Sequence, residues 1–393
     1  MKLFLEKVKP GENAIVLSDM ILTKEMPTTA GSKMLEGYMS LFDATVVEKL
    51  LEKGYDISGK ANVGEFNLDL LGETSYFGET EENGELKSAL SEIIKSNEAK
   101  AGISLEVAGA SVRGAALSNL KLLKPTYGVV SRFGTIPAAC SGETVCITAK
   151  DSSAIKEIYS VIAGNDMRDG TSLPESMINE AKTEKPIKKI GVLTAFLENA
   201  SDEVKALIES FKSKTDAEFT EISDKDLLLA APAWNTLMSA ELCNNVSKYD
   251  GVKYGYRSPD YKTIDELYTN SRTEAFGYLT KSTILYGSET LSDENYMKVY
   301  DKALRIRRVI SEYLENIFKD YDLLLLPAAS KTSYTVNEAK ENPYIAYEES
   351  LYTAPAMISG NPAVVTDGIQ LIGNKLSDMS LISFLENLDK EGK

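Results

Sequence analysis

AIVLS at 14–18, DATVVEKLLEKG at 43–54 and ISGKAN at 57–62 decide the fold class. The first is a short continuous apolar run, the length of a buried strand. The second reads as a helix, with Asp43 and Thr45 as candidate caps and Gly54 as its stop. The third returns to a strand and turn. This alternation predicts an α/β fold. It resumes downstream: SAIKEIYSVIA (153–163) reads as a helix, KKIGVLTAF (188–196) as a strand, DEVKALIESFKSK (202–214) as a helix and AEFTEI (217–222) as a strand. Helices are expected at 231–245, 293–319 and 377–389, and DLLLLP (322–327) reads as a buried strand. Residues 84–96 read as an exposed amphipathic helix carrying Leu86, Leu90, Ile93 and Ile94 on one side. The small-residue stretch 102–120 is open between buried helix and loop. The tract 166–188, rich in acids, lysine and proline, is the best linker or excursion. Because the alternation continues on both sides of it, residues 1–393 are expected to form a single domain.

Composition narrows the chemistry. The chain has 393 residues, 43% of them apolar, enough for a sizeable core. Its 59 acidic residues against 43 basic ones give a formal charge of −16. That field repels nucleic acid at long range, so no direct nucleic-acid binding by the whole chain is expected and only a local basic patch stays open. The count of histidines is zero. This excludes Ser-His-Asp, Cys-His and histidine-ligated metal sites built from this chain alone. A general base must then be a carboxylate, a depressed lysine, a thiolate or a water. Cys140, Cys146 and Cys243 form no CxxC pair and read as free thiols of a reducing compartment. No window reaches the roughly 18 uninterrupted apolar residues of a membrane span, and the charges at Glu6 and Lys7 break any secretion signal. A cytoplasmic protein without a membrane role is expected.

Several segments, in one collinear order, resemble the amidase signature family, and within it the A subunits of the tRNA-dependent amidotransferases. They are TTAGSKMLEGY (28–38), FDATVVEKLLEKG (42–54), GKANVGEF (59–66), LKPTYGVVSRFG (123–134), IAGNDMRDGTS (162–172), NNVSKYDGVKYG (244–255), ISGNPA (358–363) and GIQLIG (368–373). The resemblance implies an amidase-signature fold, a mixed β-sheet covered by helices on both faces. It also implies a Ser–cis-Ser–Lys chemistry: one serine attacks an amide carbonyl, a second relays the proton, and a lysine is the base. In the tRNA enzymes the A subunit releases ammonia from glutamine. A B subunit activates the tRNA-borne carboxylate, and a small C subunit holds the pair together.

Carried over residue by residue, the family's functional positions are mostly changed. Ser111 of AGASVRG (108–114) stands where the family has the nucleophile of its DTGGSIR-like turn, with Ala108, Ala110 and Val107 replacing Thr, Gly and an acidic residue. The bland reading of Ser111 is a structural serine satisfying backbone groups. Ser18 stands in the lysine's place, followed by the retained Asp19. ELKSALS (85–91) lies opposite the glycine-rich cis-serine stretch, and Ser88 and Ser91 read as solvated helix serines. Ser282 and Thr283 of GYLTKSTILYG (277–287) replace an arginine pair that holds the glutamine carboxylate, with Lys281 adjacent. Ser350, next to Glu348 and Glu349, replaces an aspartate that meets the amino group.

Two replacement chemistries are weak on residue grounds. Cys140 lies near Glu143, whose charge raises a thiol pKa. Asp19, Glu25 and Glu106 match no Mg²⁺ or Ca²⁺ loop spacing and read as solvated acids. The expectation is therefore a catalytically degenerate amidase-like protein, with Ser111 a vestigial nucleophile and no metal or cofactor. Its use would be to bind a protein partner, such as an amidotransferase-like subunit, or a small ligand. The alternative is a C–N hydrolase using Ser111 with Lys24 or Lys87 as an unconventional base.

Overall fold

The computed structural model describes residues 2–8, 11, 13–223 and 225–391. Among these, eleven strands form one sheet. They are β1 (Phe4–Lys7), β2 (Ala14–Ser18), β3 (Asp56–Ala61), β4 (Ala101–Glu106), β5 (Lys121–Lys124), β6 (Thr144–Ala149), β7 (Lys189–Leu193), β8 (Glu218–Ile222), β9 (Leu323–Pro327), β10 (Ala363–Thr366) and β11 (Ile369–Gly373). Their order is β1-β3-β2-β4-β6-β5-β10-β11-β9-β7-β8. β2 is parallel to β3 and β4, while β6 is antiparallel to β4 and β5, so the sheet is mixed.

The helices, in chain order, are α1 (Thr45–Glu52), α2 (Ala89–Lys95), α3 (Ala110–Leu117), α4 (Ser152–Ile162), α5 (Glu175–Ala181), α6 (Asp202–Lys212), α7 (Ala230–Asn245), α8 (Ile264–Ala275), α9 (Tyr278–Thr290), α10 (Asp301–Ile317), α11 (Val336–Glu341), α12 (Ile345–Ser359) and α13 (Asp378–Glu391). Alternation along the strands sorts side chains to two faces. Ile15, Leu17, Ile103, Leu105 and Ile147 join the core that holds Val47, Ile155 and Ile158 of α1 and α4. Val16, Ala61, Leu122 and Cys146 face the other way, onto Leu90 and Ile93 of α2 and Val112 of α3. Helices therefore cover both faces, as the resemblance implied.

Several boundaries differ from the sequence reading. α1 starts after Ala44, without a side-chain cap. Asp43 instead accepts the Lys24 amide, and Thr45 donates its hydroxyl to Asp166. Gly54, at φ +84°, does end the helix. Residues 84–96 are not an exposed helix. Glu85–Leu86 pair with Glu81–Glu82 as a short hairpin, and α2 begins only at Ala89. Leu86, Leu90, Ile93 and Ile94 are all buried, which the helical periodicity allowed but the charged surroundings concealed. The ambiguous stretch 102–120 divides into β4, a glycine turn and α3. Tract 166–188 contains α5, with Ile178 and Ala181 buried, and is anchored where Asp166 accepts hydroxyls from Thr45 and Ser131.

The complete lack of histidine makes the acid response of this fold simple. Burial pushes the Asp378 carboxyl up to about 6, although Thr126 donates both its amide and its hydroxyl to it at 2.8 and 2.6 Å. Burial likewise pushes Asp19 up to about 6, against the attraction of Lys60. Glu65, Glu106 and Glu143 are raised too, each chiefly by burial. A carboxyl raised in the folded state binds its proton more tightly there than in the unfolded chain. Its contribution is complete below the unfolded value of about 4 and is lost as pH rises through the folded one. Thermal stability should therefore increase as pH falls from 8 towards 5. Below about 4 it should fall again, because Asp166 and Glu338 sit near 2 in the folded protein. Tm measured at half-unit intervals checks this, and a Tm that is flat or declining from pH 8 to 5 contradicts it.

Candidate functional site

Three segments far apart in the sequence converge on one small cavity of about 30 Å³. Ser18 comes from the end of β2, Ser88 and Ser91 from the start of α2, and Ser111 from the first turn of α3. Asn62, Asn67 and Ser104 complete its polar lining. Among the described residues no lysine, arginine, aspartate or glutamate lines it. Ser18 Oγ and Ser104 Oγ are buried without a hydrogen-bond partner among the described residues. A hydroxyl is neither basic near neutrality nor charged, so this wall can orient a polar group but cannot hold a proton taken from Ser111.

The turn before Ser111 is built by glycine and by a carboxylate. Gly109 sits at φ +98°, and a Cβ there would lie 2.3 Å from Arg113 Nη1 and 2.7 Å from Thr353 Oγ1. Glu106, fully buried at the end of β4, accepts the Gly109 amide at 2.5 Å and the Val112 amide at 2.9 Å. An acid at a helix N-terminus is favourable there. It also engages two backbone donors of the turn that carries Ser111. The Ser111 side chain is half-buried and makes no hydrogen bond among the described residues, so it is not the backbone-satisfying serine of the bland reading.

Behind the turn, Arg113 is wholly buried and donates to the carbonyls of Asp69, Leu70 and Ala108. It attracts both Asp69 and Glu106, whose carboxyls burial pushes up. Asp69 is packed so closely that a Cβ on Gly64 would fall 1.8 Å from its carboxylate. Arg113 lies two residues past Ser111 in AGASVRG, and the sequence analysis above assigns a role neither to it nor to Asp69. An arginine flanked by small residues in an otherwise apolar stretch is the signal that could have found the cluster.

The two alternative bases lie elsewhere. Lys24 is 57% exposed and pairs with Asp43 at 3.1 Å. Lys87 pairs with Glu85 at 2.8 Å. Ser88 is the N-cap of α2, accepting the Ser91 amide, and Ser91 is buried and donates to the Gly114 carbonyl at 3.0 Å. Neither is a solvated helix serine, because α2 packs on α3 where Gly114 leaves room: a Cβ there would lie 2.7 Å from Ser88. Asp19 and Glu106 are buried rather than solvated, and only Glu25 of that trio is exposed. No group of three or more Cys, Asp or Glu suited to a metal ion occurs among the described residues. The Cys140 thiol is raised by burial and by Glu143, against the pull of Arg132. Arg132 itself is taken by Glu143 at 2.7 Å.

Of the clamp positions, Thr283 and Ser350 meet at Tyr347, while Ser282 does not reach it. Thr283 Oγ1 donates to the Leu279 carbonyl at 2.8 Å and lies 2.5 Å from the Tyr347 hydroxyl. Ser350 donates to the Tyr347 carbonyl at 2.7 Å, and Ser282 to that of Tyr278 at 3.0 Å. Glu349 accepts the amide and hydroxyl of Ser330, and Glu348 the Asn342 side-chain amide. These hydroxyls close onto their own helices and offer no cation to a carboxylate.

Comparison with known proteins gives this arrangement its family. The Amidase family model matches residues 14–86 and 96–382, and the chain belongs to that family. The interruption falls on 87–95, which holds Lys87, Ser88 and α2. The chain is 36% identical to the glutamyl-tRNA(Gln) amidotransferase A subunit of Saccharolobus solfataricus, over 95% of this chain and 83% of that one. It is 32% identical to the A subunit of Nitrosomonas europaea, over 94% and 81% respectively. Among solved structures, the glutamyl-tRNA(Gln) amidotransferase A subunit of Thermotoga maritima superposes with a TM-score of 0.77 at 24% identity, covering 96% of this chain and 85% of that one. A 6-aminohexanoate cyclic dimer hydrolase superposes with the same TM-score of 0.77 at 16% identity, covering 96% and 84%. At these identities the superpositions speak for the fold alone. No helix among the described residues is long and apolar enough to cross a membrane.

Proposed function

We propose that this is a catalytically degenerate member of the amidase family, one amidase-like domain over residues 1–393, that works by binding rather than by turnover. The carrying observation is the serine- and asparagine-lined cavity beside Ser111, which no amine among the described residues lines. Ser18 fills the base's place, and Lys87 with the α2 helix fills the relay segment. Glu106 holds amides of the nucleophile turn, and Ser282, Thr283 and Ser350 replace the amino-acid clamp. Removing one oxyanion donor typically costs about 2.7–4 kcal/mol of transition-state stabilisation. Removing the activator of a serine costs at least as much, since its hydroxyl is a weak nucleophile on its own.

The likeness to amidotransferase A subunits over nearly the whole chain supports a role as partner of an amidotransferase-like subunit in the cytoplasm. The test is ammonia release from glutamine, asparagine and simple carboxamides, followed by a coupled dehydrogenase. No release above the buffer rate is expected. Turnover that disappears in Ser111→Ala would establish the alternative, a C–N hydrolase with Ser111 as nucleophile.

A further inference from the structure

Two hydroxyls of the cavity, those of Ser18 and Ser104, are left without a hydrogen-bond partner among the described residues. The residues are only 2% and 4% exposed. They also stand next to one another. β2 and β4 run parallel with Leu17 beside Ile103, and Ser18 and Ser104 are the next residue of each strand. Neighbouring strands lie about 4.8 Å apart, so one small molecule can reach both hydroxyls, which do not bond each other.

The remaining walls set the charge and the size of that molecule. Asn62 and Asn67 line the cavity but donate their side-chain amides to the carbonyls of Gly78 and Leu105, both at 2.8 Å. Asp19 and Glu106 are near in the chain, yet neither lines the space. Asp19 accepts the Thr29 amide at 2.9 Å, and Glu106 holds the amides of Gly109 and Val112. Burying an ion without a counter-charge is costly, whereas a neutral polar molecule needs only its hydrogen bonds. A volume of about 30 Å³ corresponds to roughly two waters, and so to a solute of about four non-hydrogen atoms at most. An amino acid is larger and carries both a carboxylate and an ammonium. It does not fit.

We propose that the cavity takes one small uncharged molecule that both donates and accepts hydrogen bonds, bridging Ser18 Oγ and Ser104 Oγ beside an unreacted Ser111. The proposal rests on the reading that this site binds rather than turns over, and it names the class of ligand. Urea is the probe of that class, planar and neutral, with N–H groups on two arms and a carbonyl acceptor. Guanidinium and nitrate share its planar frame but carry opposite charges, so the three together separate neutrality from shape.

Methyl NMR of the full chain, titrated with urea, reads occupancy at Val63, Leu71 and Leu90, which line the cavity. Saturable shifts with a millimolar constant are expected for so small a ligand. Guanidinium and nitrate at matched ionic strength should give none. S18A/S104A should weaken urea binding by about tenfold or more, through the loss of two hydrogen bonds. Its Tm should not fall, because neither hydroxyl bonds another part of the protein among the described residues. Linear, unsaturated shifts with urea mean that water alone fills the cavity; they overturn the proposal and leave the degenerate reading standing. Equal binding of guanidinium or nitrate overturns the selection for a neutral molecule, and binding retained in S18A/S104A overturns the bridge. Ammonia released from urea by the unaltered chain but not by Ser111→Ala overturns the proposal and the degenerate reading together.

Discussion

A fluorophosphonate probe should leave Ser111 unmodified under conditions that label a working serine amidase to completion. The reagent reports how readily a hydroxyl loses its proton and how well the developing negative oxygen is held. On the proposed reading, neither requirement is met in the few ångströms around the hydroxyl. No amine among the described residues lines the cavity that Ser111 faces, and the polar side chains there are hydroxyls and amides. The Gly109 and Val112 amides already donate to the Glu106 carboxylate, so a new anion would meet a like charge. A rate at least 10³-fold below that of an active relative is expected, as each missing contribution is worth about a factor of 10² or more. Intact-mass spectrometry reads the result directly. Stoichiometric labelling abolished by Ser111→Ala would show an activated nucleophile and refute the reading.

The largest stability effect should come from Arg113. Arg113→Met keeps most of the volume but removes the guanidinium that donates to three carbonyls and attracts the buried Asp69 and Glu106. Taking one partner from a buried charge cluster typically costs about 3–5 kcal/mol. The loss should be seen as a lowered midpoint in urea unfolding at pH 7.5. It should shrink when pH is lowered towards 5, because Asp69 and Glu106, both raised by burial, can then take up protons. A loss below about 1 kcal/mol, the ordinary size for a single substitution, or one independent of pH, would mean that the arginine does not balance these acids.

Much of the architecture is legible in local patterns. β2, α1 and β3 carry their periods in plain sight, and Gly54 marks its helix end. The mixed sheet with two helical faces follows only from the collinear resemblance, since no local pattern tells β5 from β6 or reveals that β6 runs antiparallel between two distant strands. The α2 segment is misleading because Glu85, Lys87, Glu92 and Lys95 look solvent-bound. Burial of Ser91 and Leu90 is set by Gly114 and Gly102 across the fold, which sequence spacing cannot show. At the site, Ser111, Ser18 and the 85–91 segment stand out in the sequence and do meet. Asp69 does not stand out, because a lone acid in a loop has no period, and its burial depends on the absent side chain of Gly64. The acidic trio looks solvated for the converse reason: burial of Asp19 depends on Thr29 and Lys60, each remote from it in the chain.

The grip of Glu106 on the amides of its own turn acts as a ratchet. A lysine introduced at position 18 would line the same cavity as Ser111, whose turn amides at Gly109 and Val112 are already held by Glu106. Exchanging the acid first would strip two amides and Arg113 of a neighbour on which the fold relies. The turn and the acid that holds it are thus coupled, so that a change at either one has to be accommodated at the other.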